Sequence, residues 1–273
     1  MKKLIVTSCV AAVLAGCVTT VREPAHETLI AHRGESYDAP ENTLPAYRMA
    51  VERGFGFECD VYLSADGRVF TFHDGNLKRT SGGVLDKRCV EASWETEISS
   101  LNVGGWGRWK GSRFDPTRPA LLEEVCALAR DGRWIYCEIK GGDLRVVAKI
   151  KKVLEGQQIA TPANFLFISF DEKICAEMKR KMPAYRVYWL PSNISLTAED
   201  ICRTLKRLGA DGVDVCYDGK IHDAEFIRKV HDAGYSFHVW TVDDPKKARE
   251  AFSRGVDTLT TNRAQFILDQ LGA

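Results

Sequence analysis

The chain has 273 residues, enough for one large domain, and α/β barrels commonly have this length. Its hydrophobic fraction of 45% is ordinary for a globular protein that buries a full core. The formal net charge of +1 gives no bias towards polyanions, so nucleic acid is not expected as a partner, and no other feature predicts a protein partner.

The first residues resemble the export signal of a bacterial lipoprotein. Lys2 and Lys3 form a short basic region, and residues 4–15 are an apolar run too short to span a bilayer. The run leads into Leu-Ala-Gly-Cys, which is similar to a lipobox. We therefore expect a signal peptide at residues 1–16 and lipid attachment at Cys17. A plain secretory signal with an incidental cysteine is the alternative.

Residues 17–27 are polar, include a proline, and are expected to tether the domain to the lipid. The anchor predicts a location in the cell envelope, on the periplasmic side of a bacterial membrane. Val18 stands where many inner-membrane lipoproteins carry aspartate, which slightly favours the outer membrane. The later cysteines follow no zinc or disulfide spacing and lie mostly in apolar runs, so we interpret them as structural.

The rest of the chain alternates between strand-like and helix-like segments. Apolar runs predict eight principal strands, at residues 28–32, 57–63, 134–139, 165–170, 186–190, 212–216, 237–242 and 256–260. Amphipathic spacing predicts helices at residues 43–53, 119–129, 144–154, 172–181, 198–208, 224–233, 246–253 and 264–271. Residues 68–72 are expected to pair with the second strand, and residues 75–118 to form an irregular insertion.

This alternation predicts a (β/α)8 TIM barrel over residues 28–273, with a small insertion after the second strand region. An open doubly wound sheet shares the alternation and is the alternative. In both folds ligands bind outside the carboxyl ends of the parallel strands. The side chains at those strand ends are therefore the candidate functional residues.

Acidic side chains stand at two neighbouring strand ends. Glu58 and Asp60 are two residues apart on one strand and should point to the same face, about 7 Å apart, and Glu138 and Lys140 repeat the pattern. Three convergent carboxylates are costly unless a cation neutralises them. Oxygen ligands suit one hard divalent cation, Ca²⁺ or Mg²⁺. The alternative is that Glu58 and Glu138 pair with Arg33 and Lys140.

Two histidines stand beside these carboxylates. Histidine is the side chain best suited to exchange protons near neutral pH, so His32 and His73 are candidates for one base and one acid. With a divalent cation bound, Arg33 and Lys140 would make the pocket net cationic. That charge matches a phosphate diester passing to a more negative transition state.

A set of ordered motifs runs through residues 29–263. The motifs are His32-Arg33-Gly34, Pro40-Glu41-Asn42-Thr43, Glu58-Cys59-Asp60-Val61, His73-Asp74, Arg79-Thr80, Glu138-Ile139-Lys140, Ser169-Phe170 and Trp240-Thr241-Val242. Together they resemble the glycerophosphodiester phosphodiesterase family, here in a bacterial lipoprotein form. The resemblance implies a TIM barrel and divalent-metal hydrolysis of glycerophosphodiesters to an alcohol and sn-glycerol 3-phosphate.

The resemblance also implies roles for the residues that carry the chemistry. His32 and His73 match the general acid/base pair, in an order that stays open, and Glu58, Asp60 and Glu138 match the metal ligands. The implied route has the glycerol 2-hydroxyl attack phosphorus while one histidine removes its proton and the other protonates the leaving alkoxide. Water then opens the cyclic phosphate.

The remaining matched positions are expected to contact the substrate. Arg33 and Lys140 match a phosphate clamp, and Asn42 is expected near the metal and the phosphate. Phe170 and Trp240 would form an apolar wall against the glycerol or the alcohol, with a plain core aromatic as the alternative for Phe170.

Three positions depart from the pattern of the family. Cys59 replaces an aliphatic residue, which is harmless if the side chain faces away from the barrel interior. Asn262 stands in place of an aspartate and Asp243 in place of an asparagine, which leaves substrate details open. Two alternative functions also stay open: a lysophospholipase D or sphingomyelinase-D-like enzyme on the same barrel, and a catalytically silent surface-binding lipoprotein.

Overall fold

Eight parallel strands form a closed ring in the computed structural model, which describes residues 25–272. In chain order the strands are β1 (Leu29–Ala31), β2 (Gly56–Leu63), β3 (Val69–Thr71), β4 (Ile135–Ile139), β5 (Phe165–Ser169), β6 (Arg186–Trp189), β7 (Gly212–Cys216), β8 (Ser236–Trp240) and β9 (Thr258–Thr261). β1 pairs in parallel with both β2 and β9, which closes the barrel, and β3 pairs antiparallel with β2. The predicted (β/α)8 barrel is confirmed, and the open sheet is wrong because the ring has no free edge.

Helices follow the strands and cover the barrel. They are α1 (Leu44–Glu52), α2 (Leu122–Cys126), α3 (Arg145–Glu155), α4 (Glu172–Lys181), α5 (Ala198–Leu208), α6 (Ala224–Asp232), α7 (Pro245–Ser253) and α8 (Ala264–Leu271). α2 is shorter than the predicted helix at residues 119–129. The reason is that the preceding residues extend along β3, where the Thr71 N–H donates to the Ala120 carbonyl over 2.8 Å.

The insertion after β3 is irregular, as predicted, and is ordered by a hydrophobic cluster of its own. It contains short helical turns at Cys89–Glu91, Trp94–Ile98 and Gly107–Trp109. Trp94 and Ile98 are buried and pack in one cluster with Phe70 of β3. This anchoring holds the insertion against the part of the barrel that carries His73.

Side chains alternate along β2 between the barrel interior and the helix layer. Cys59 and Val61 lie in the main core between strands and helices, so the cysteine faces away from the interior as expected. Glu58 and Asp60 face the other way, and Asp60 is in register with Glu138 of β4. The fold therefore places three carboxyl groups at one end of the barrel.

The predicted signal peptide, Cys17 and most of the predicted tether lie outside the described residues. The last tether positions contact the barrel, since the His26 ring stacks on Phe55 and Glu27 forms a 2.8 Å ion pair with Arg133. Among residues 25–272, no helix is long and apolar enough to cross a membrane. The seven cysteines in this range are free thiols, and five of them are buried.

Candidate active site

A cavity of about 170 Å³ opens at the carboxyl ends of the barrel strands. Most of the residues singled out from the sequence line it: His32, Arg33, Glu58, His73, Glu138, Lys140, Phe170 and Trp240. Asp60 lies beside these lining residues. Asn42 is hydrogen-bonded to Asp60, because its Nδ2 donates to Asp60 Oδ2 over 2.7 Å. The fold thus brings together every candidate site residue that lies within the described chain.

Glu58, Asp60 and Glu138 can offer oxygen atoms that all lie within 4.8 Å of one another. All three residues are buried, and Glu58 Oε1 has no hydrogen-bond partner. Burial and the neighbouring carboxylates raise the pKa of Glu58 well above its usual range and that of Glu138 to about 7. An orphaned oxygen among mutually repelling carboxyls fits a hard divalent cation, which would bind these oxygens and offset their charge.

Lys140 and Arg33 compensate only part of this negative charge. Lys140 Nζ lies 2.6 Å from Glu138 Oε1 and 3.0 Å from Asp60 Oδ1, and Arg33 Nε lies 3.5 Å from Asp60 Oδ2. Although burial opposes the shift, these cations lower the pKa of Asp60 to about 2. The alternative of simple ion pairs holds for Glu138 with Lys140. It is wrong for Glu58, which accepts a bond from the Arg33 backbone N–H at 2.9 Å instead.

The turn after β1 aims that backbone N–H at Glu58. Arg33 has a left-handed backbone with a φ of 56°, and Gly34 follows with a φ of 78°. A Cβ at Gly34 would lie 2.5 Å from the backbone carbon of Ala46 in α1, so only glycine allows this close approach. The His-Arg-Gly motif therefore has a structural reason as well as a chemical one.

Asn42 orients one carboxylate of the triad rather than standing free in the cavity. Its Nδ2 donates to Asp60 Oδ2, while its Oδ1 accepts from the Asp60 backbone N–H at 3.0 Å and from the Tyr47 hydroxyl at 2.7 Å. These bonds hold Asp60 on both its main chain and its side chain. Asn42 was expected near the metal and the phosphate, and the structure places it in contact with Asp60 of the carboxylate triad.

His32 is bonded to a neutral amide at a partly buried position. Its Nδ1 lies 2.7 Å from Asn262 Oδ1, and Asn262 Nδ2 donates to Asp243 Oδ2 over 2.7 Å. The Asp243 carboxylate can only accept hydrogen bonds, so the Asn262 amide nitrogen faces Asp243 and the amide oxygen faces His32. His32 Nδ1 therefore carries the hydrogen, and Nε2 has a lone pair. Burial, together with the nearby Arg33 charge, lowers the pKa of His32 to about 4.

His73 is bonded to a carboxylate at a more open position. Its Nδ1 lies 2.9 Å from Asp74 Oδ1, and Arg79 donates to both oxygens of Asp74, at 2.6 and 2.9 Å. The hydrogen bonds from Arg79 are the main cause that lowers the pKa of Asp74 to about 2. Arg79 is in turn held by Glu41 at 2.7 Å. The ionised Asp74 therefore holds the His73 ring through its Nδ1 atom and orients it.

Apolar side chains form the opposite wall of the cavity. The rings of Phe170 and Trp240 meet edge to face with their centroids 5.7 Å apart, and Ile168 and Leu190 extend this surface. Phe170 is 39% exposed, so the plain core interpretation of this residue is wrong. This wall offers apolar surface to a short carbon skeleton, and the charged side chains form the rest of the lining.

A model of the glycerophosphoryl diester phosphodiesterase family matches residues 32–265. The chain belongs to this family. The glycerophosphodiester phosphodiesterase of Caldanaerobacter subterraneus subsp. tengcongensis is 26% identical over 251 residues, which are 88% of this chain and 96% of that protein. A phosphodiesterase of Oleispira antarctica, solved in complex with the product sn-glycerol-3-phosphate, superposes with a TM-score of 0.79. It is 26% identical, and the match covers 90% of this chain and 97% of that one.

Mammalian members of the family are longer than the matched region. Human glycerophosphodiester phosphodiesterase 1 is 32% identical over 153 residues, which are 55% of this chain and 45% of the human protein. The chain thus spans less than half of this relative, and 37% of the bovine one.

Asp243 and Asn262, two of the residues that depart from the family pattern, are hydrogen-bonded to each other. Asp243 accepts from the Asn262 side chain and, through Oδ1, from the Asn262 backbone N–H at 2.8 Å. Sequence reasoning noticed both departures but could not see that they form a chain to His32. It also missed Asp214, which lines the cavity from β7. The sequence feature that could have indicated Asp214 is an acidic residue between two valines, Val213 and Val215, at an inward position of a predicted strand.

Proposed function

We propose that this protein is a metal-dependent glycerophosphodiester phosphodiesterase that releases an alcohol and sn-glycerol 3-phosphate. The observation that carries the proposal is one small cavity in which a buried carboxylate triad faces two histidines with opposite kinds of partner. Membership of the family supports it. The relative from Oleispira antarctica, which shares the fold, holds sn-glycerol-3-phosphate.

Glu58, Asp60 and Glu138 would hold one divalent cation, Ca²⁺ or Mg²⁺. Hard oxygen ligands suit both ions. When bound, the cation supplies positive charge that offsets the carboxylates and the charge developing on the phosphate. Lys140 and Arg33 would bind phosphate oxygens beside it, because both side chains reach the cavity and carry several donors.

His32 would act as the base of the first step. It is neutral at pH 7 because of its low pKa, and its hydrogen sits on Nδ1, so the Nε2 lone pair can accept a proton. Removal of the proton from the glycerol 2-hydroxyl lets that oxygen attack phosphorus. The product of this step is a cyclic phosphate.

His73 would act as the acid of the same step. The ionised Asp74 holds its Nδ1 and orients the ring, and transfer of a proton from the ring to the leaving oxygen gives a neutral alcohol. In the second step the two histidines exchange roles: His73 removes a proton from water, which attacks the cyclic phosphate, and His32 returns its proton to the glycerol 2-oxygen. Both histidines then regain their starting protonation.

The activity is tested by following sn-glycerol 3-phosphate released from glycerophosphocholine, with Ca²⁺ or Mg²⁺ and with excess chelator. We expect metal-dependent release that Glu58→Gln and His73→Ala both strongly reduce. Retained folding of the two variants is checked by circular dichroism. Absence of release from a panel of glycerophosphodiesters, or full activity in excess chelator, would refute the proposal.

We also propose that the protein is lipid-anchored through Cys17 on the periplasmic side of a bacterial membrane. The lipobox-like Leu-Ala-Gly-Cys supports this, and the anchor lies outside the described residues. The variant Cys17→Ser should move the protein from the detergent phase to the aqueous phase. Continued partitioning into detergent would count against the anchor.

A further inference from the structure

One carboxyl group of the cavity has no side-chain partner among residues 25–272. Asp214 lies on β7, is 1% exposed, and its side chain makes no hydrogen bond or ion pair with any residue of the described range. Its backbone is held, since the Trp240 indole donates to the Asp214 carbonyl over 3.2 Å. Burial and the Glu138 charge raise the pKa of this carboxyl well above its usual range.

A buried polar group without a partner is costly, and folded proteins rarely keep one without a reason. Asp214 does not belong to the cluster of side chains in residues 25–272 that could hold a metal ion, which consists of Glu58, Asp60 and Glu138. It nevertheless lines the same cavity. A ligand that enters the cavity is therefore the group that can satisfy it.

The surroundings of Asp214 define the chemistry of that ligand. Ile168, Leu190, Phe170 and Trp240 line the same cavity and offer apolar surface, whereas the ionic residues cluster around the triad. A short carbon chain that ends in a hydroxyl fits this combination. A hydroxyl can donate to a carboxylate and can both donate to and accept from a carboxylic acid, so the pairing does not depend on the charge of Asp214.

We propose that Asp214 binds the free terminal hydroxyl of the glycerol moiety and so selects fully deacylated glycerophosphodiesters over lysophospholipids. This inference rests on the proposed function and names its specificity. A lysophospholipid carries an acyl ester in place of that hydroxyl. The ester cannot donate a hydrogen bond to the Asp214 carboxylate.

The experiment compares two substrates that differ by one oxygen. Glycerophosphocholine carries both glycerol hydroxyls, and 2-hydroxypropyl phosphocholine lacks only the terminal one, so the 2-hydroxyl needed for attack is kept. We expect the wild-type kcat/KM to favour glycerophosphocholine by about 10- to 100-fold, as for a lost hydrogen bond to a buried polar group. Lysophosphatidylcholine should be hydrolysed more slowly still.

Replacement of Asp214 should remove this discrimination. In Asp214→Ala the ratio of the two kcat/KM values should fall towards one, and Asp214→Asn, which keeps an acceptor, should retain part of it. The exposed Asp232→Asn on α6 is the matched control and should keep the wild-type ratio. An unchanged ratio in Asp214→Ala, or no discrimination by the wild type, would overturn the inference.

Two further measurements separate this inference from other causes of failure. Because Asp214 is buried without a partner, its replacement by alanine or asparagine should leave the melting temperature unchanged or raise it. If the wild type hydrolyses no glycerophosphodiester, the proposed function fails. The role of Asp214 is then tested alone by calorimetry, which compares the Kd of sn-glycerol 3-phosphate with that of propane-1,2-diol 1-phosphate. Tighter binding of sn-glycerol 3-phosphate that is lost in Asp214→Ala supports the inference. Equal Kd values for the two ligands in the wild type overturn it.

Discussion

The two histidines of the cavity have the same side chain but opposite surroundings. His32 is 17% exposed and bonded to the neutral amide of Asn262, whereas His73 is 33% exposed and bonded to the ionised Asp74. A partly buried imidazole beside an amide favours the neutral base, whereas the ring of His73 is oriented by a carboxylate. This difference between the two partners is the basis of the proposed roles of His32 as base and His73 as acid.

The largest expected effect is loss of either histidine. His32→Ala and His73→Ala should each lower kcat on glycerophosphocholine by about 10²- to 10⁴-fold, because each removes one proton transfer of the first step. The measurement is steady-state release of sn-glycerol 3-phosphate at saturating metal. His231→Ala, on the outer helix α6, is the control and should keep wild-type kcat. A loss below tenfold in either catalytic variant would contradict the assigned pair.

An exchange of two residues should make the surroundings of His32 resemble those of His73. In the double variant Asp243→Asn and Asn262→Asp, the hydrogen bond between the two positions is kept while the carboxylate moves next to His32. The pKa of His32 should rise from about 4 towards its ordinary value. Since a protonated base is inactive, the acidic limb of kcat/KM should move to higher pH.

The pH dependence of kcat/KM in the exchanged and wild-type proteins measures this shift. The single variant Asp243→Asn, which removes the charge without moving it closer, separates proximity from net charge. It should not move the acidic limb upwards. If the acidic limb of kcat/KM lies at the same pH in the exchanged variant and in the wild type, the residue at position 262 does not control the pKa of His32.

A smaller effect is expected on stability. The pKa of Glu138 is about 7 in the folded chain against 4.5 ordinarily, so the folded state holds its proton more tightly than the unfolded state. Its contribution to stability is therefore fully present below pH 4.5 and lost as pH rises through 7. Metal-free protein should lose about 1–3 kcal/mol over this window from Glu138.

Denaturant unfolding at pH 4.5 and pH 7.5, with and without Mg²⁺, checks this expectation. The cation should stabilise the protein more at the higher pH, where the carboxylates are ionised, and Glu138→Gln should weaken the pH dependence. Equal stabilisation by Mg²⁺ at both pH values would contradict a metal site built on this triad.

Much of the fold and part of the site could be predicted because they depend on local periodicity. Alternation along β2 and β4 is enough to place Glu58, Asp60 and Glu138 on one face, and the parallel register then brings Asp60 beside Glu138. The short α2 could not be predicted, because the pairing of residues 119–121 with β3 depends on a contact distant in sequence.

The partners of the histidines lay beyond sequence reasoning for a similar reason. His32 and Asn262 are 230 positions apart and meet only when β1 and β9 close the barrel. The Asp74–Arg79–Glu41 chain depends on side-chain directions that no local pattern encodes. Asp214 lies between two valines in a strand whose sequence is typical of a hydrophobic core, so its position in the cavity was not predicted.

The difference between the histidines is tested most directly by a substrate whose leaving group needs no proton. Release of p-nitrophenol from glycerol 3-(p-nitrophenyl phosphate) is measured in a single turnover, so that only the first step counts. His73→Ala should release p-nitrophenol at close to the wild-type rate, whereas His32→Ala should remain about 10²- to 10⁴-fold slower. Equal impairment of both variants, or rescue of His32→Ala instead, would contradict the assignment of His32 as base and His73 as acid.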